Sequence, residues 1–338
     1  MKRLLLTLAA LAFCVAAYAE TITVATVNAW SGLTGRGLIS VGEHEDRATR
    51  SFRTDLLVRG LLDLRPDIIT LQEANPLPRF AESIGASLPE YDTAFSVRQA
   101  GVRVGPVGLP TNLREGEIIL AERSRGLRQT ATRQVAGPGA GDIFSFQLGT
   151  GTQIVSAIVE VAGRSVHVYT TRWTPSPHDD RQILVELVDA YARGELTGDE
   201  LLSTMERAVT GSERRRREAR ETVAFINETA GRNPVILTGS LFALPDSAEM
   251  QVLRDAGFVD VWSAVGDCAG YTFDSASNAN IIRHGLATGP GEQVRSDYIL
   301  VRGEGIAARS ARLILNTPTY GVHASAHYGI YAELRIDP

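Results

Sequence analysis

The chain alternates between short apolar runs typical of β-strands and longer stretches in which apolar residues recur at helical spacing. Residues 21–27 alternate polar and apolar side chains, which predicts a strand with one buried face. Leucines at helical spacing predict a helix over about residues 46–65. Further apolar runs predict strands at residues 67–71, 117–121, 143–148, 154–161, 165–171, 234–239, 298–301, 312–315 and 330–336.

Residues 179–230 have the composition and the capping signals of helices. Two capping boxes, beginning at Thr197 and Thr210, predict at least two helices with a break near Gly211. A further helix is expected to be capped by Asp246. Strands in hairpins, with helices between others, predict an α/β fold of two packed sheets with helices on the outside.

The N-terminus has the pattern of a secretory signal peptide. A basic start at Lys2-Arg3 precedes an apolar stretch over residues 4–15 and a small-residue cleavage motif at residues 17–19. The apolar stretch is short for a bilayer span. We therefore expect a signal peptide over residues 1–19, a secreted or periplasmic protein, and no stable membrane insertion after cleavage.

Composition narrows the chemistry that the mature chain can perform. The 338 residues are 44% hydrophobic and 22% charged, as in globular proteins, and the net charge of −5 argues against coating nucleic acid by charge alone. Lys2 is the only lysine, so an anion must be held by Arg, His, backbone N–H groups or a metal ion. Cys14 lies in the signal segment, which leaves Cys268 without a disulfide partner. We expect Cys268 to be a partly buried structural thiol.

Polar residues stand at the ends of four predicted strands, where α/β proteins build their sites. Asn28 follows the first strand, Glu73 follows the second, Asp297 precedes a late strand and His327 precedes the last. Each signal alone is weak, and their order along the chain gives them weight. The acidic run at residues 43–46 is expected to be a solvated loop leading into a helix rather than a metal cluster.

Five segments follow one another along the chain: ATVNAW at 25–30, RPDIITLQE at 65–73, VILTG at 235–239 with ALPDS at 243–247, SDYIL at 296–300 and SAHYG at 325–329. In this order they resemble the endonuclease/exonuclease/phosphatase superfamily, which includes nucleases and neutral sphingomyelinases. The resemblance covers essentially the whole chain after the signal segment. It implies a single domain over residues 20–338, built as a four-layer α/β/β/α sandwich of two mixed sheets flanked by helices, with a helical insertion at about residues 178–230.

The resemblance also implies a role for each of the polar residues. Glu73 is similar to the family's ligand for Mg²⁺ or Mn²⁺, an ion that would neutralise a phosphodiester. Asn28 is similar to the residue that fixes metal-bound water or phosphate. His327 is similar to the histidine that faces the scissile phosphate, and Asp297 to the carboxylate that orients its ring.

Four departures from the family pattern affect the same centre. Ser240 and Phe242 replace the aspartate and the asparagine expected after the strand at 235–239, and Ala326 replaces a second acid. Arg172 replaces a histidine, and as a substrate-binding residue it could hold a phosphate bidentately. Losing one preorganised hydrogen-bond donor typically costs about 10² to 10³ in rate, and losing general acid–base help costs ~10² to 10⁴.

Three hypotheses follow for the function. The leading one is an exported family member whose hydrolytic centre is partly dismantled, with residual or no phosphodiester hydrolysis and a phosphorylated ligand. The second is a working Mg²⁺-dependent phosphodiesterase in which other carboxylates, with Asp246 and Asp274 as candidates, replace those lost. The third is a structural or interaction protein on the same fold, in which Phe242 would close the cleft. The sequence leaves the question of enzymatic activity open.

Overall fold

The structure is a computed structural model that describes residues 18–34, 42–100, 103–104, 107–108, 112–136, 151–175, 181–287 and 291–338. Most of the predicted signal peptide, the predicted strand at residues 143–148 and the first residues of the predicted insertion lie outside the described residues. Across the ranges that are described, none of the helices has the length and apolar character needed to cross a bilayer.

Strands and helices follow one another in the order expected of an α/β protein. The strands are β1 (Glu20–Asn28), β2 (Ile68–Ala74), β3 (Tyr91–Ala100), β4 (Arg103–Val104), β5 (Val107–Gly108), β6 (Arg114–Glu122), β7 (Arg128–Ala136), β8 (Thr152–Val161), β9 (Arg164–Arg172), β10 (Val235–Ser240), β11 (Val259–Asp260), β12 (Phe273–Asp274), β13 (Gln293–Val294), β14 (Asp297–Arg302), β15 (Ile306–Ile314) and β16 (Gly329–Ile336). The α-helices are α1 (Arg47–Leu64), α2 (Arg79–Ser87), α3 (Arg181–Ala192), α4 (Gly198–Ala230), α5 (Ala248–Asp255), α6 (Val261–Val265) and α7 (Ala279–His284).

Two six-stranded sheets form the centre of the domain. The first has the order β15-β16-β1-β2-β6-β3 and the second has the order β11-β14-β10-β9-β8-β7. Each sheet is mixed: β1 runs parallel to β2 and antiparallel to β16, and β10 runs parallel to β9 and antiparallel to β14. Both sheets therefore place one parallel pair near the middle, and the carboxyl ends of each pair lie together.

Three hydrophobic cores separate four layers, as the resemblance implied. The central core lies between the sheets and contains Val24 and Ile236. Their neighbours in sequence face outward, because successive side chains on a strand point to opposite faces. Ala25 packs with Leu57 of α1 in one outer core, and Leu237 packs with residues of α4 and α5 in the other. The α/β/β/α sandwich is confirmed.

Most predicted elements are present within a few residues of their expected bounds, but some elements were missed. The predicted strands correspond to β1, β2, β6, β8, β9, β10, β14, β15 and β16, and the helix predicted at 46–65 is α1. Neither β3, β7 nor α2 was predicted. Both strands lie at sheet edges, and β7 carries mostly partly buried or exposed residues, so its pattern lacks a continuous apolar face.

The predicted break near Gly211 is wrong. The long helix α4 runs through this position without interruption, and residues 193–197 separate it from α3. Thr197 caps α4 with a complete capping box, as predicted. The second box signal at Thr210 goes unused because the buried face of α4, which includes Gly211, packs against the domain and keeps the helix continuous.

Two local predictions are also wrong. The cap of α5 is Ser247, whose side chain accepts a hydrogen bond from the Met250 amide at 3.4 Å, rather than Asp246. Cys268 is exposed instead of partly buried. It follows α6, where its backbone carbonyl accepts a hydrogen bond from the Trp262 indole at 2.9 Å, and this arrangement leaves the thiol outside the core.

Candidate active site

The polar residues singled out from the sequence meet at one end of the two sheets. Asn28 is the last residue of β1, Arg172 is the last of β9 and Ser240 is the last of β10. Strand register sets Ser240 opposite Arg172 on one side and opposite Asp297, the first residue of β14, on the other. The Nδ2 of Asn28 donates to the Ser240 hydroxyl at 3.1 Å and so joins the two sheets at this end.

Glu73 reaches this group through an irregularity of β2. The pairing of β2 with β6 shifts between Leu71 and Ala74, and Glu73 has a left-handed backbone with φ of 54°. A bulge of this kind re-aims a side chain. The carboxylate oxygen Oε1 of Glu73 accepts hydrogen bonds from Asn28 Nδ2 at 2.9 Å and from Arg172 Nε at 2.8 Å.

The contact between Arg172 and Glu73 is a buried ion pair. Their side chains are 11% and 9% exposed. Burial alone would raise the pKa of Glu73, but the positive charges of Arg172 and His327 and the Asn28 hydrogen bond outweigh it and lower the pKa to about 2. The carboxylate is therefore ionised across the physiological pH range, and an arginine on the opposite sheet already neutralises it.

Asp297 and His327 form the second charged pair of the site. The Nδ1 of His327 lies 2.7 Å from Oδ2 of Asp297, whose Oδ1 accepts a hydrogen bond from the Ser240 hydroxyl at 2.5 Å. Burial would lower the pKa of His327, but the Asp297 carboxylate, with help from Glu73, raises it above its ordinary value. Burial would raise the pKa of Asp297, but the contact with His327 lowers it below its ordinary value. The ring is therefore hydrogen-bonded to Asp297 and is protonated more readily than a free imidazole.

The backbone around His327 is fixed by a serine. The Ser325 hydroxyl donates to the Asn28 carbonyl at 2.5 Å and accepts a hydrogen bond from the His327 amide at 3.1 Å. Ser325 therefore ties the segment before β16 to the end of β1. This contact places the imidazole beside the other site residues without help from a ligand.

Two phenylalanine rings pack against the imidazole of His327. The Phe242 ring lies 5.8 Å from it at an interplanar angle of 84°, and the Phe273 ring lies 5.3 Å from it at 63°. The guanidinium of Arg172 lies over the Phe242 ring at 5.1 Å. His327 is only 5% exposed. At the position where the resemblance implied a phosphate-binding amide, the chain instead has an apolar ring that covers the histidine.

All five predicted site residues are brought together, and the roles implied for them remain predictions. A continuous set of contacts runs from Arg172 through Glu73, Asn28 and Ser240 to the pair of Asp297 and His327. Ser240, noted in the sequence as a loss, is the hydroxyl that connects the two charged pairs.

The residues present do not fit a magnesium or manganese centre. Mg²⁺ usually keeps several waters and takes one or two carboxylates from the protein, and here the guanidinium of Arg172 is paired with the Glu73 carboxylate. Glu73 is the carboxylate at the expected position, and its Oε1 is occupied by two N–H donors. No group of three or more His, Cys, Asp or Glu residues suited to a metal occurs in the part of the chain that the structure describes. Within the same residues, no hydrogen bond or ion pair connects Asp246 or Asp274 to Glu73; Asp274 accepts from Ala276 and Gln293.

A second buried charge cluster beside the site was missed by the sequence analysis. Arg98 on β3 is fully buried, forms an ion pair with Glu115 and donates from Nε to Oε1 of Glu117 at 2.9 Å. Burial raises the pKa of Glu117 to about 7 even though Arg98 and Arg172 oppose the shift. The sequence did contain a signal for this cluster. Glu115 and Glu117 lie two residues apart on β6, before an apolar run, and this spacing places both carboxylates on one face of the strand.

The segment at residues 43–46 is the expected loop, with Glu43 and Asp46 exposed, but one of its acids is not solvated. Glu45 is buried and binds Arg53 of α1 through both carboxylate oxygens. Arg53 also donates to the carbonyls of Ala29, Trp30 and Ala324 at 3.0–3.1 Å. This ion pair holds the chain that leaves β1 against α1. The expected lead into a helix is confirmed, because Asp46 is the N-cap of α1.

The fold is the one found in solved structures of endonuclease/exonuclease/phosphatase proteins. No family model matches the sequence, and no curated protein sequence matches it. Among solved structures, the chain is similar to an endonuclease/exonuclease/phosphatase from Bacteroides vulgatus, with a TM-score of 0.62 and 15% identity over 94% of this chain and 100% of that one.

Two further structures share the fold. TDP2 of D. rerio, complexed with a single-strand DNA product, has a TM-score of 0.60 and 18% identity over 93% of this chain and 99% of that one. The human Nocturnin catalytic domain, with a bound sulfate anion, has a TM-score of 0.56 and 14% identity over 93% of each chain. At these identities the similarity establishes the fold.

Proposed function

We propose that this chain is an exported protein of the endonuclease/exonuclease/phosphatase fold that binds a phosphorylated ligand and has lost phosphodiester hydrolysis. The observation that carries the proposal is the ion pair between Arg172 and Glu73. In the family that the sequence resembles, the carboxylate at the position of Glu73 holds a divalent cation. Here the guanidinium of Arg172 supplies the positive charge instead, with its Nε 2.8 Å from the carboxylate oxygen.

An arginine in this place binds anions but does not replace a metal ion in hydrolysis. A divalent cation polarises the phosphoryl oxygens and lowers the pKa of a bound water, so that the water becomes a nucleophile. A guanidinium can stabilise charge on the phosphoryl oxygens, but it holds no water in an inner shell and therefore generates no nucleophile. Ser240 is also a poor general base at neutral pH.

The groups that remain favour binding of an anionic group. Among the described residues, Nη1 and Nη2 of Arg172 make no hydrogen bond, so both are available to a phosphate. Asp297 and Glu73 raise the pKa of His327, so that its ring, when protonated, adds a second positive charge nearby. A phosphate bound here would be stabilised by both charges and would not be attacked.

A second candidate function is slow, residual phosphodiester hydrolysis. It is favoured by the pair of Asp297 and His327, which is preserved at 2.7 Å with Asn28 beside it. An imidazolium can protonate a leaving oxygen. The test below separates the two candidates, because residual hydrolysis would depend on His327.

The test measures hydrolysis by the purified mature protein. Plasmid DNA, sphingomyelin and bis(4-nitrophenyl) phosphate are each incubated with Mg²⁺, with Mn²⁺ and with a chelator. Wild type is compared with Glu73→Ala and His327→Ala. We expect no metal-dependent turnover above the variants. Metal-dependent turnover that disappears in Glu73→Ala would overturn the proposal, and metal-independent turnover that disappears in His327→Ala would favour residual hydrolysis.

A reverse experiment tests which positions account for the loss. The four substitutions Arg172→His, Ser240→Asp, Phe242→Asn and Ala326→Asp are combined in one variant. We expect this variant to gain Mg²⁺-dependent hydrolysis of bis(4-nitrophenyl) phosphate that Glu73→Ala then removes. A folded variant without any gain would contradict the assignment of the loss to these four positions.

A further inference from the structure

A cavity of about 350 Å³ lies beside the candidate active site and shares Glu73 as part of its wall. It is bounded by α1, by the chain that follows β1 and by the connection from β2 to α2. His327, Asp297 and Phe242 do not line it. A cavity of this volume is in the range that holds a small molecule.

Arginines dominate the charged residues of the cavity wall. Arg47, Arg50, Arg53 and Arg79 line it, against two acids, Glu73 and Asp55. The chain as a whole has a net charge of −5. A local excess of positive charge in an acidic protein attracts anions to that place.

Internal ion pairs neutralise some of these charges and leave others available. Arg53 is neutralised by Glu45, and Glu73 is neutralised by Arg172. Within the described residues, the side chains of Arg47 and Arg79 form no hydrogen bond and no ion pair. After the paired charges are set aside, the wall keeps two exposed arginines and one exposed acid, Asp55.

Arg50 adds further donors to the same wall. Its Nη2 lies 3.1 Å from Glu43 and its Nε lies 3.5 Å from Glu45. Both atoms are nevertheless buried without a hydrogen bond among the described residues. The third nitrogen, Nη1, donates to Oε1 of Glu43 at 3.3 Å. A ligand oxygen in the cavity would supply an acceptor for Nε or Nη2. The positive ends of α1 and α2, which begin at Arg47 and Arg79, reinforce the charge.

The rest of the wall is apolar or carries hydroxyl groups. Trp30, Leu57, Pro76 and Phe80 line it, so a ligand needs an apolar body as well as an anionic group. The hydroxyl of Ser51 in the same wall adds a neutral donor. Planar guanidinium groups pair with phosphate in a bidentate geometry.

We propose that this cavity is a binding site for a small phosphomonoester, with the phosphate held by Arg47, Arg50 and Arg79 and an apolar group against Trp30 and Phe80. The inference goes beyond the proposed function, because neither Arg172 nor His327 lines this cavity; it adds a second anion site, beside Glu73, to the one that those two residues form. The ligand reaches the site from the side of α1 and α2 and does not displace the ring that covers His327.

The test uses phenyl phosphate as the probe and isothermal titration calorimetry as the readout. We expect phenyl phosphate to bind the wild-type protein and to bind Arg47→Ala/Arg79→Ala at least tenfold more weakly. Both arginines are exposed, so the variant should fold. Arg123→Ala is the matched control, because Arg123 is an exposed arginine that lies outside the cavity wall, and it should leave binding unchanged.

Three further probes define the ligand class. Phenol tests the apolar part, inorganic phosphate tests the anion and benzoate tests another anion on the same ring; each should bind more weakly than phenyl phosphate. Absence of binding by the wild type, equal binding by the double variant, or equal binding of benzoate would overturn the inference. Metal-dependent turnover of a phosphodiester would instead overturn the proposed function, so the two failures are distinguishable.

Discussion

Arg172 and Glu73 come from different sheets and meet at 2.8 Å between Nε and Oε1, inside the group of residues expected to hold a metal ion. The pair lies at the end where the carboxyl ends of β1, β2, β9 and β10 converge. Its side chains are almost fully buried. The pair therefore acts on stability as well as chemistry, because it joins the sheets and neutralises a charge that would otherwise be left in the interior.

Replacing Arg172 by methionine should destabilise the protein strongly. The Arg172→Met variant keeps the volume of the side chain but leaves the Glu73 carboxylate buried without its cation. Breaking a buried pair by removing one partner typically costs about 3–5 kcal/mol. Urea unfolding at neutral pH measures the difference in the free energy of unfolding.

A double-mutant cycle and an exposed pair provide the controls. Glu73→Gln combined with Arg172→Met should recover much of the lost stability, because the uncompensated charge is gone. Arg123→Met removes an exposed contact with Asp92 at 3.7 Å and should cost less than about 1 kcal/mol. A cost for Arg172→Met no larger than that of Arg123→Met would show that the pair is not formed in solution.

The pKa of His327 should depend on Asp297. In Asp297→Asn the imidazole keeps its burial but loses the carboxylate, so its pKa should fall from a value above the ordinary 6.5 to one below it. NMR titration of the ring protons measures this change. Ser240→Ala is the control, because it removes one hydrogen bond to Asp297 and keeps the carboxylate. An unchanged titration in Asp297→Asn would contradict the contact.

Glu117 should make the protein less stable as the pH rises through the neutral range. Its pKa is raised from 4.5 to about 7 in the folded state. The folded state therefore binds this proton more tightly, and the stability that it contributes below pH 4.5 is lost as the pH rises through 7. Glu73, with its pKa lowered to about 2, has the opposite sign: its contribution is present above pH 4.5 and is lost as the pH falls through 2.

Glu117→Gln isolates this contribution. The amide cannot ionise, and its oxygen can still accept the hydrogen bond from Arg98. Unfolding free energies of the wild type and the variant, compared from pH 5 to pH 8, should diverge with rising pH in favour of the variant. A difference that stays constant over this range would show that Glu117 is already ionised, and would contradict the raised pKa.

The sequence predicted that the candidate site residues lie at the ends of strands, but it did not predict the hydrogen bonds and ion pairs that they form. Asn28, Glu73 and Asp297 border apolar runs, so their convergence follows from the ends of strands in a layered fold. The bond from Arg172 to Glu73 does not follow in the same way, because it depends on the irregularity that turns Glu73. Arg98 was missed because strands are predicted from alternating apolar residues. A charged residue at a buried position of β3 breaks that alternation and indicates an exposed position instead.

The two capping signals on the helical segment should respond in opposite ways to alanine. Thr197→Ala removes the side-chain hydroxyl that accepts a hydrogen bond from the Glu200 amide, and it should lower the free energy of unfolding by about 1 kcal/mol. Thr210→Ala changes an exposed position inside α4, where alanine is the better helix former by up to about 0.7 kcal/mol. Thermal unfolding of both variants measures the effects, and a loss at Thr210 equal to that at Thr197 would indicate that the helix does break near Gly211.

The central claim is that Arg172 stands where the resemblance implies a divalent cation. The most direct measurement is a titration of the wild-type protein with Mn²⁺, followed by the electron paramagnetic resonance signal of the free ion. The account predicts that the wild type and Glu73→Ala leave this signal equally unchanged, whereas the variant with all four family residues restored reduces it. Stoichiometric loss of the signal with the wild type, abolished in Glu73→Ala, would contradict the account.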